Sequence, residues 1–445
     1  MYIMHDIKNL KDPTVNNWPL WLWLWLLLFV GKATASANVS CIAHDTKVTC
    51  DCHDEDQAMF LPPLGGVAYK IEIRNCRALN VEPYALTDTI GLRTITFRQV
   101  DNLVLNKYAL SYASKAIIVE FEQVNFKLID SHAINGNIEE ISFVGGRIEL
   151  MQPFGLTTTK DSAILLRLDG VTIQRIESQA FKKFAVEQML ITNCHFLGDV
   201  QSKSFYELEV LRELSISNNQ FQMVHSHAFS FKLISKLSLS NNRFTAVDGE
   251  WLEARIRDGV TLRDNDFGAT SDIAFRSLTV HNDYNLNERL ELRFHNNTVQ
   301  MATAVPPRPL IFNGRLALSL RQLRYDNTWP CGELDMNEQP PQPKAEFFRV
   351  HSEQILFRND TNPSWTPLRR LISEQCQQRS HLAYIVMGGV ALLLLLLLIV
   401  LVVCCLVNRR RKRRKMDVVQ PEPRTYKETQ IMYQIENAGL LKTDL

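Results

Sequence analysis

Leu211-Arg-Glu-Leu214-Ser-Ile216-Ser-Asn-Asn219-Gln-Phe221 and Ile234-Ser-Lys-Leu237-Ser-Leu239-Ser-Asn-Asn242-Arg-Phe244 are two copies of one pattern. A third copy, Val260-Thr-Leu262-Arg-Asp-Asn265-Asp-Phe267, follows, and Val186-Glu-Gln-Met189-Leu-Ile191-Thr-Asn-Cys194-His-Phe196 precedes them. All fit L-x-x-L-x-L-x-x-N/C-x-L, with a period inside the range of leucine-rich repeats. The L-x-L core alternates apolar and polar residues, which predicts a strand with one buried face. Each such strand is expected to pair in parallel with its equivalent in the next coil. An Asn at its end can bond backbone groups that would otherwise be buried unpaired.

Upstream the same template returns more weakly. Its Asn position falls at Cys76, Val100, Val124, Gly146, Val171, Cys194, Asn219, Asn242, Asn265 and Asn297, in steps of 22 to 25 residues and a last step of 32. A second signal keeps phase with the first: an apolar residue, then Ala or Ser beside a bulky apolar one. It reads Val81…Ala85-Leu86, Leu105…Ala109-Leu110, Ile129…Ala133-Ile134, Ile176…Ala180-Phe181, Val200…Ser204-Phe205 and Val224…Ala228-Phe229. Val and Gly at four ladder positions cannot make the Asn bonds, so the N-terminal coils are expected to be irregular.

Over roughly residues 41–335 the chain resembles the extracellular leucine-rich repeat family of animal cell-surface proteins. The resemblance implies an α/β solenoid, a horseshoe with a parallel concave sheet, loops or short helical turns on the convex side, and disulfide-bonded caps. Cys41, Cys50 and Cys52 resemble the family's N-terminal cap and with Cys76 would form two bridges, for which three connectivities are open. Asn327-Thr-Trp-Pro-Cys331 resembles the start of the C-terminal cap. The family's Cys two residues further on is Glu333 here, so that cap is reduced, and Cys331 is expected to pair with Cys376. Cys194 is left as a buried ladder thiol.

Two apolar segments set the expected topology. Trp18 to Val30 is too short to span a bilayer and is followed by Ala33-Thr-Ala35, which suits signal-peptidase cleavage; an uncleaved anchor is the alternative. Leu382 to Val407 is uncharged and long enough for a tilted transmembrane helix. Seven cations, Arg409 to Lys415, follow at once and mark the cytoplasmic flank. The expected location is the plasma membrane, single-pass type I, with the N-terminus extracellular. Expected divisions are a signal peptide (1–37), an N-terminal cysteine cap (38–66), about nine or ten coils (67–300), and a last coil with the reduced cap (301–335). A Pro-containing stalk (336–381), the membrane helix (382–407) and a disordered cytoplasmic tail (408–445) complete the chain.

Composition supports a folded chain, with 46% hydrophobic and 22% charged residues. The net charge is +1; the tail carries ten Lys/Arg against five Asp/Glu and the leader three against two, leaving about −5 on residues 38–381. That balance argues against nucleic acid, and the 409–415 run instead suits anionic lipid. Three glycosylation sequons begin at Asn38, Asn296 and Asn359. A glycan on Asn296 would shield the C-terminal end of the sheet and move the binding area toward the N-terminus.

Outward strand residues form columns of mixed charge suited to protein recognition. The candidates are Arg74, Arg98, Glu120, Glu122, Arg167, Asp169 and Glu213, with Lys70, Glu72, Thr94 and Thr96 near the N-terminus. Ser215, Lys236, Ser238, Arg263, Glu291 and Arg293 continue the columns. The face lacks an aromatic strip for sugars. No G-x-S-x-G, H-E-x-x-H or phosphate-loop motif occurs, and no cofactor or metal is expected; His44 and His53 lie among bridging cysteines, and His225 with His227 reads as an exposed loop pair. In the tail, Glu436, Leu440 and Leu441 fit an acidic dileucine signal for a sorting adaptor. Thr443 to Leu445 fit a PDZ ligand, and Tyr426 and Tyr433 are phosphorylation candidates. Cys404 and Cys405 sit where palmitoylation occurs, or are apolar filler. The expected function is a non-enzymatic cell-surface recognition protein: an adhesion molecule, receptor or co-receptor for an extracellular protein ligand or another cell-surface receptor. A structural epithelial or matrix attachment protein and, remotely, an ancillary enzyme subunit are the alternatives.

Overall fold

The computed structural model describes residues 37–52, 58–61, 63–111, 117–158, 162–281, 289–301, 307–327, 343–358 and 364–417. They divide into two compact units, up to Arg369 and from Arg370 onward. The first unit is a parallel-strand solenoid of about 11 turns.

Its main ladder is built from the L-x-L strands. One outward column runs in register through Glu72, Thr96, Glu120, Ser142, Arg167, Leu190, Ser215, Ser238, Thr261, Arg293 and Ser319. Between these residues the apolar ones point inward, and Ile71, Ile73, Phe97, Leu214, Ile216, Leu237, Leu239 and Leu262 are buried. A second parallel ladder follows each turn, pairing Thr172 with His195, His195 with Gln220 and Gln220 with Arg243. A third joins Leu156, Phe181, Phe205, Phe229 and Leu252. Strands therefore occupy positions where the family resemblance implied loops or short helical turns. Among the described residues of 37–327 there is no helix, which corrects the α/β expectation. The bulky Phe and β-branched residues that recur in phase favour a pleated surface over a helical one.

Parallel strands lie about 4.8 Å apart, close to the spacing of stacked rings. Phe181, Phe205 and Phe229 stack at 4.6 Å between successive centroids. Phe196, Phe221 and Phe244 do the same at 4.4 and 4.7 Å. The in-phase Ala/Ser positions, such as Ala180, Ser204 and Ala228, are fully buried beside them.

The turn after the main strand has one constant feature. Asn75, Gln99, Gln123, Gly145, Gly170, Asn193, Asn218, Asn241, Asp264, Asn296 and Gln322 all have φ between 52° and 68°. This left-handed conformation suits Gly and Asn. The next residue is the ladder position. Asn242 donates through Nδ2 to the Ile216 carbonyl at 2.8 Å and to Asn265 Oδ1 at 3.0 Å. Its Oδ1 accepts from Asn219 N at 3.1 Å and Asn219 Nδ2 at 2.9 Å. Asn265 repeats the arrangement with Asn297, and Asn219 Oδ1 accepts from Cys194 N at 2.8 Å. Val100, Val124 and Val171 fill the same position as buried apolar residues. Register shifts occur at Val124/Phe126 but equally at Val210/Glu213 and Ile234/Lys236, so irregularity is not confined to the N-terminal coils.

The N-terminal edge is an antiparallel hairpin, Ser40–His44 with Lys47–Asp51, closed by the Cys41–Cys50 and Cys52–Cys76 disulfides. At the other end the structure differs from the expected stalk. Ile355–Arg358 adds in parallel to Leu323–Tyr325, Trp365–Pro367 pairs antiparallel with it, and a helix spans Pro343–Val350. Phe348 packs against Tyr325, which stacks on Phe357 at 5.2 Å. Residues 343–358 and 365–367 thus cover the last coil, because its apolar end needs a partner. Cys331 lies outside the described residues, as do the leader, His53, Asn359 and the segment from residue 418.

In the second unit a helix runs over Gln377–Asp417, and its Leu382–Arg413 part is long and apolar enough to cross a membrane. Cys404 and Cys405 are exposed on it as free thiols.

Asn219→Ala and Asn242→Ala should each destabilise the folded chain by about 1–3 kcal/mol, because buried backbone groups lose their partners. Thermal melting checks this, and unchanged transitions in both would count against the ladder as a source of stability. At Gly146 (φ 76°) an added Cβ would lie 2.1 Å from the Val124 carbonyl oxygen. Gly146→Ala should therefore lower the melting temperature more than either Asn variant.

Candidate recognition surface

Alternation within each main strand exposes three parallel columns of side chains. At the N-terminal end these form a continuous charge network. Arg74 Nε bonds Asp51 at 3.0 Å, and Lys47 Nζ lies 2.6 Å from Glu72. Arg98 links two carboxylates, Glu72 at 3.2 Å and Glu122 at 2.7 Å, while Thr96 donates to Glu120 at 2.9 Å. The Glu72 side chain is only 8% exposed. The hydrogen bond from Lys47 holds its carboxyl below the usual value against the opposing effect of burial, with Arg98 and Lys70 assisting.

In the middle coils Arg167 bonds Asp169, and Asp169 also accepts from Thr192 at 3.0 Å and Asn193 at 2.9 Å. Burial opposes charge on Asp169, but the bonds from Asn193, Arg167 and Thr192 outweigh it and keep its pKa low. Glu213 pairs with Lys236 at 3.1 Å. All seven ligand-face candidates thus lie on the main ladder, each already engaged with a neighbour. Such pairs preorganise a patterned surface, while each exposed pair adds little stability.

The C-terminal coils differ. Arg263 pairs in register with His295, and His295 with Arg321. Arg263 Nε is 3.8 Å from Asp264 and Arg293 is 2.7 Å from Glu291. Among the described residues, Arg321 has no carboxylate within ion-pair distance, and it is exposed. His295 Nε2 lies 3.3 Å from Ser319 Oγ. Burial, with Arg321 and Arg293 nearby, lowers its pKa and favours the neutral ring. Neither His295 nor Arg321 stood out in the sequence. The signal was present in Leu316-Ala-Leu318-Ser-Leu320-Arg-Gln-Leu323, a further copy of the strand with Leu at the ladder position.

Asn296 occupies the turn beside this row and donates through Nδ2 to Asp264. Cys194 is buried, and burial pushes its thiol up to about 11, so it is not a nucleophile. His225 and His227 face different carboxylates, Asp199 at 3.6 Å and Glu253 at 3.4 Å. No group of three metal-ligating side chains occurs among the described residues.

An aromatic column does exist, away from the main ladder. Tyr84, Tyr108, His132 and Phe154 occupy successive left-handed turns, with rings 5.6, 5.5 and 5.2 Å apart. Tyr84 stacks on Tyr108 and His132 on Phe154, while Tyr108 and His132 are tilted by 46°. A groove of about 950 Å³ beside the third ladder is lined by Lys203, Glu209, Lys232, Glu253 and Arg276 among others. Arg276 pairs there with Glu250, and Lys232 lies 4.0 Å from Glu209.

Comparisons with family models, curated proteins and solved structures found no match to this chain.

Replacing Glu72 by Gln should lower the melting temperature above about pH 4.5, where the unfolded carboxyl is charged. A depressed folded pKa gives stability that is lost as pH falls through it, so the gap between parent and variant should close in acid. A gap that stays constant with pH would exclude the charge network as its cause.

Proposed function

We propose that this chain is a leucine-rich-repeat-type, single-pass membrane protein whose extracellular solenoid recognises a protein ligand, as an adhesion molecule, receptor or co-receptor. The supporting observation is the main ladder: a rigid row of in-register strands that carries patterned charges over its whole length. Polar patterning on such a surface selects partners and steers encounter more than it adds affinity. Two disulfides suit an oxidising compartment, and an apolar helix followed by seven cations suits a cytoplasmic C-terminal flank.

In this reading Asn38, Asn296 and Asn359 are the glycan acceptors, and 409–415 lies against anionic lipid. Glu436, Leu440, Leu441 and the Thr443–Leu445 end meet a sorting adaptor and a PDZ protein, and no enzymatic reaction is assigned. An attachment protein whose tail only sorts it is the second reading. Deleting the tail separates the two, because a receptor loses signalling while an attachment protein keeps its adhesion.

A binding screen of residues 38–381 against cell-surface proteins tests the recognition reading, and recovery of no protein ligand would sink it. For topology, a tag after Leu445 should stain only in permeabilised cells, and glycosidase should reduce the mass of the surface form. Staining of intact cells would reverse the orientation. Leu440→Ala with Leu441→Ala should raise surface abundance, measured by surface biotinylation, and an unchanged level would remove the dileucine signal.

A further inference from the structure

We propose that the C-terminal coils carry a binding site for an acidic protein segment, seated on Arg263, His295 and Arg321 with Arg293 beside them. This rests on the reading of the chain as a protein-recognition molecule and gives it a ligand chemistry.

The same outward column runs along both ends of the solenoid, and its sign pattern differs between them. At the N-terminal end it reads Asp51, Arg74, Arg98, Glu122; Arg74 pairs with Asp51 and Arg98 with Glu122, so the stack neutralises itself. At the C-terminal end it reads Arg263, His295, Arg321, with no acidic residue in the row. Arg263 and Arg321 lie two strands apart with His295 between them; Arg263 has Asp264 beside it at 3.8 Å, while Arg321 has no carboxylate partner among the described residues. The imidazole between the two arginines stays close to neutral, which spaces the guanidinium groups across two strand intervals, about 10 Å at the backbone. Thr261 and Ser319 flank Arg293 in the neighbouring column and add hydroxyl groups.

Guanidinium forks grip carboxylates through two parallel hydrogen bonds. Separate carboxylates on a peptide can reach Arg263 and Arg321 individually. A densely sulfated polysaccharide would also meet Glu291, 2.7 Å from Arg293, and Asp264, beside Arg263.

The test uses the full chain in lipid nanodiscs, with the glycosylated chain and Asn296→Gln measured in parallel; binding confined to Asn296→Gln would show the native row to be covered and would overturn the site. Gln is the native residue in the same left-handed turn at positions 99, 123 and 322. A fluorescent polyglutamate peptide, its polyglutamine counterpart and heparin are titrated separately. The expected result is salt-sensitive binding of polyglutamate, stronger than of either other probe. Arg263→Gln combined with Arg321→Gln should weaken it by about tenfold or more, while Arg175→Gln, an exposed arginine off the main ladder, leaves it unchanged. Circular dichroism should show the double variant folded, as expected for exposed side chains. Absence of polyglutamate binding, indifference to both arginines, or tighter binding of heparin would overturn the site. If the ectodomain screen yields a protein ligand whose affinity ignores both arginines, this inference fails and the recognition reading stands.

Discussion

Parallel register between equivalent strands is the constraint on which this structure depends. Each coil places its residues about one strand spacing from their equivalents in the next, so identical positions meet along the stack. That single repeat distance turns recurring Phe residues into ring stacks and recurring Asn residues into a hydrogen-bonded ladder. A slip of one residue would exchange the buried and outward faces of a strand. Because coils touch only their neighbours, the ends are left with unpaired edges, and both ends are finished by added structure. The N-terminal edge has a disulfide-closed hairpin, and the C-terminal edge has a helix and two short strands built around Phe348, Phe357 and Tyr325.

The turn that follows each main strand separates what is required from what is optional. The left-handed residue recurs in every coil from Asn75 to Gln322. The ladder Asn does not. From Asn219 to Asn297 amide groups bond the turn across coils, whereas Val100, Val124 and Val171 contribute apolar burial instead. Backbone bonds such as Gly170 N to the Thr192 carbonyl and His195 N to the Val171 carbonyl still tie the turns of such coils together. The solenoid therefore continues through coils that lack the amide, because the turn geometry and the buried strand face are both retained.

This division explains what was legible in the sequence. The strand face was visible through L-x-L alternation and through the in-phase Ala-Phe signal, both of which are period effects. The left-handed column was also visible in principle, as Asn, Gln, Gly or Asp before each ladder position. The third ladder was marked by the in-phase Phe positions but not as strands, and the second was less visible: Phe181–Lys182 and Thr172–Ile173 are two-residue strands, too short for alternation to show. The C-terminal closure was hidden because a helix and two strands that cover an end do not repeat anything. In the candidate surface, the charge of each column was readable from single residues. Its partners were not, since Arg98 meets Glu72 and Glu122 only after three coils are stacked in register.

Fixed register also governs how electrostatics and recognition divide along the solenoid. A flexible surface relieves repulsion by moving apart; strands locked by a ladder cannot. A column in which each cation has a carboxylate beside it, as Arg74 has Asp51 and Arg98 has Glu122, converts the fixed spacing into mutual support and presents a nearly neutral face. A column without acidic residues, as Arg263, His295 and Arg321 form, keeps more of its field toward solvent, most at Arg321, which has no carboxylate partner among the described residues. Desolvating a charge that already has an intramolecular partner breaks one interaction to make another, while an unpaired guanidinium offers its full hydrogen-bonding capacity. On the proposed reading, recognition falls where the stack leaves a charge such as that of Arg321 uncompensated, and the fixed register that holds it there would also keep it preorganised for a partner.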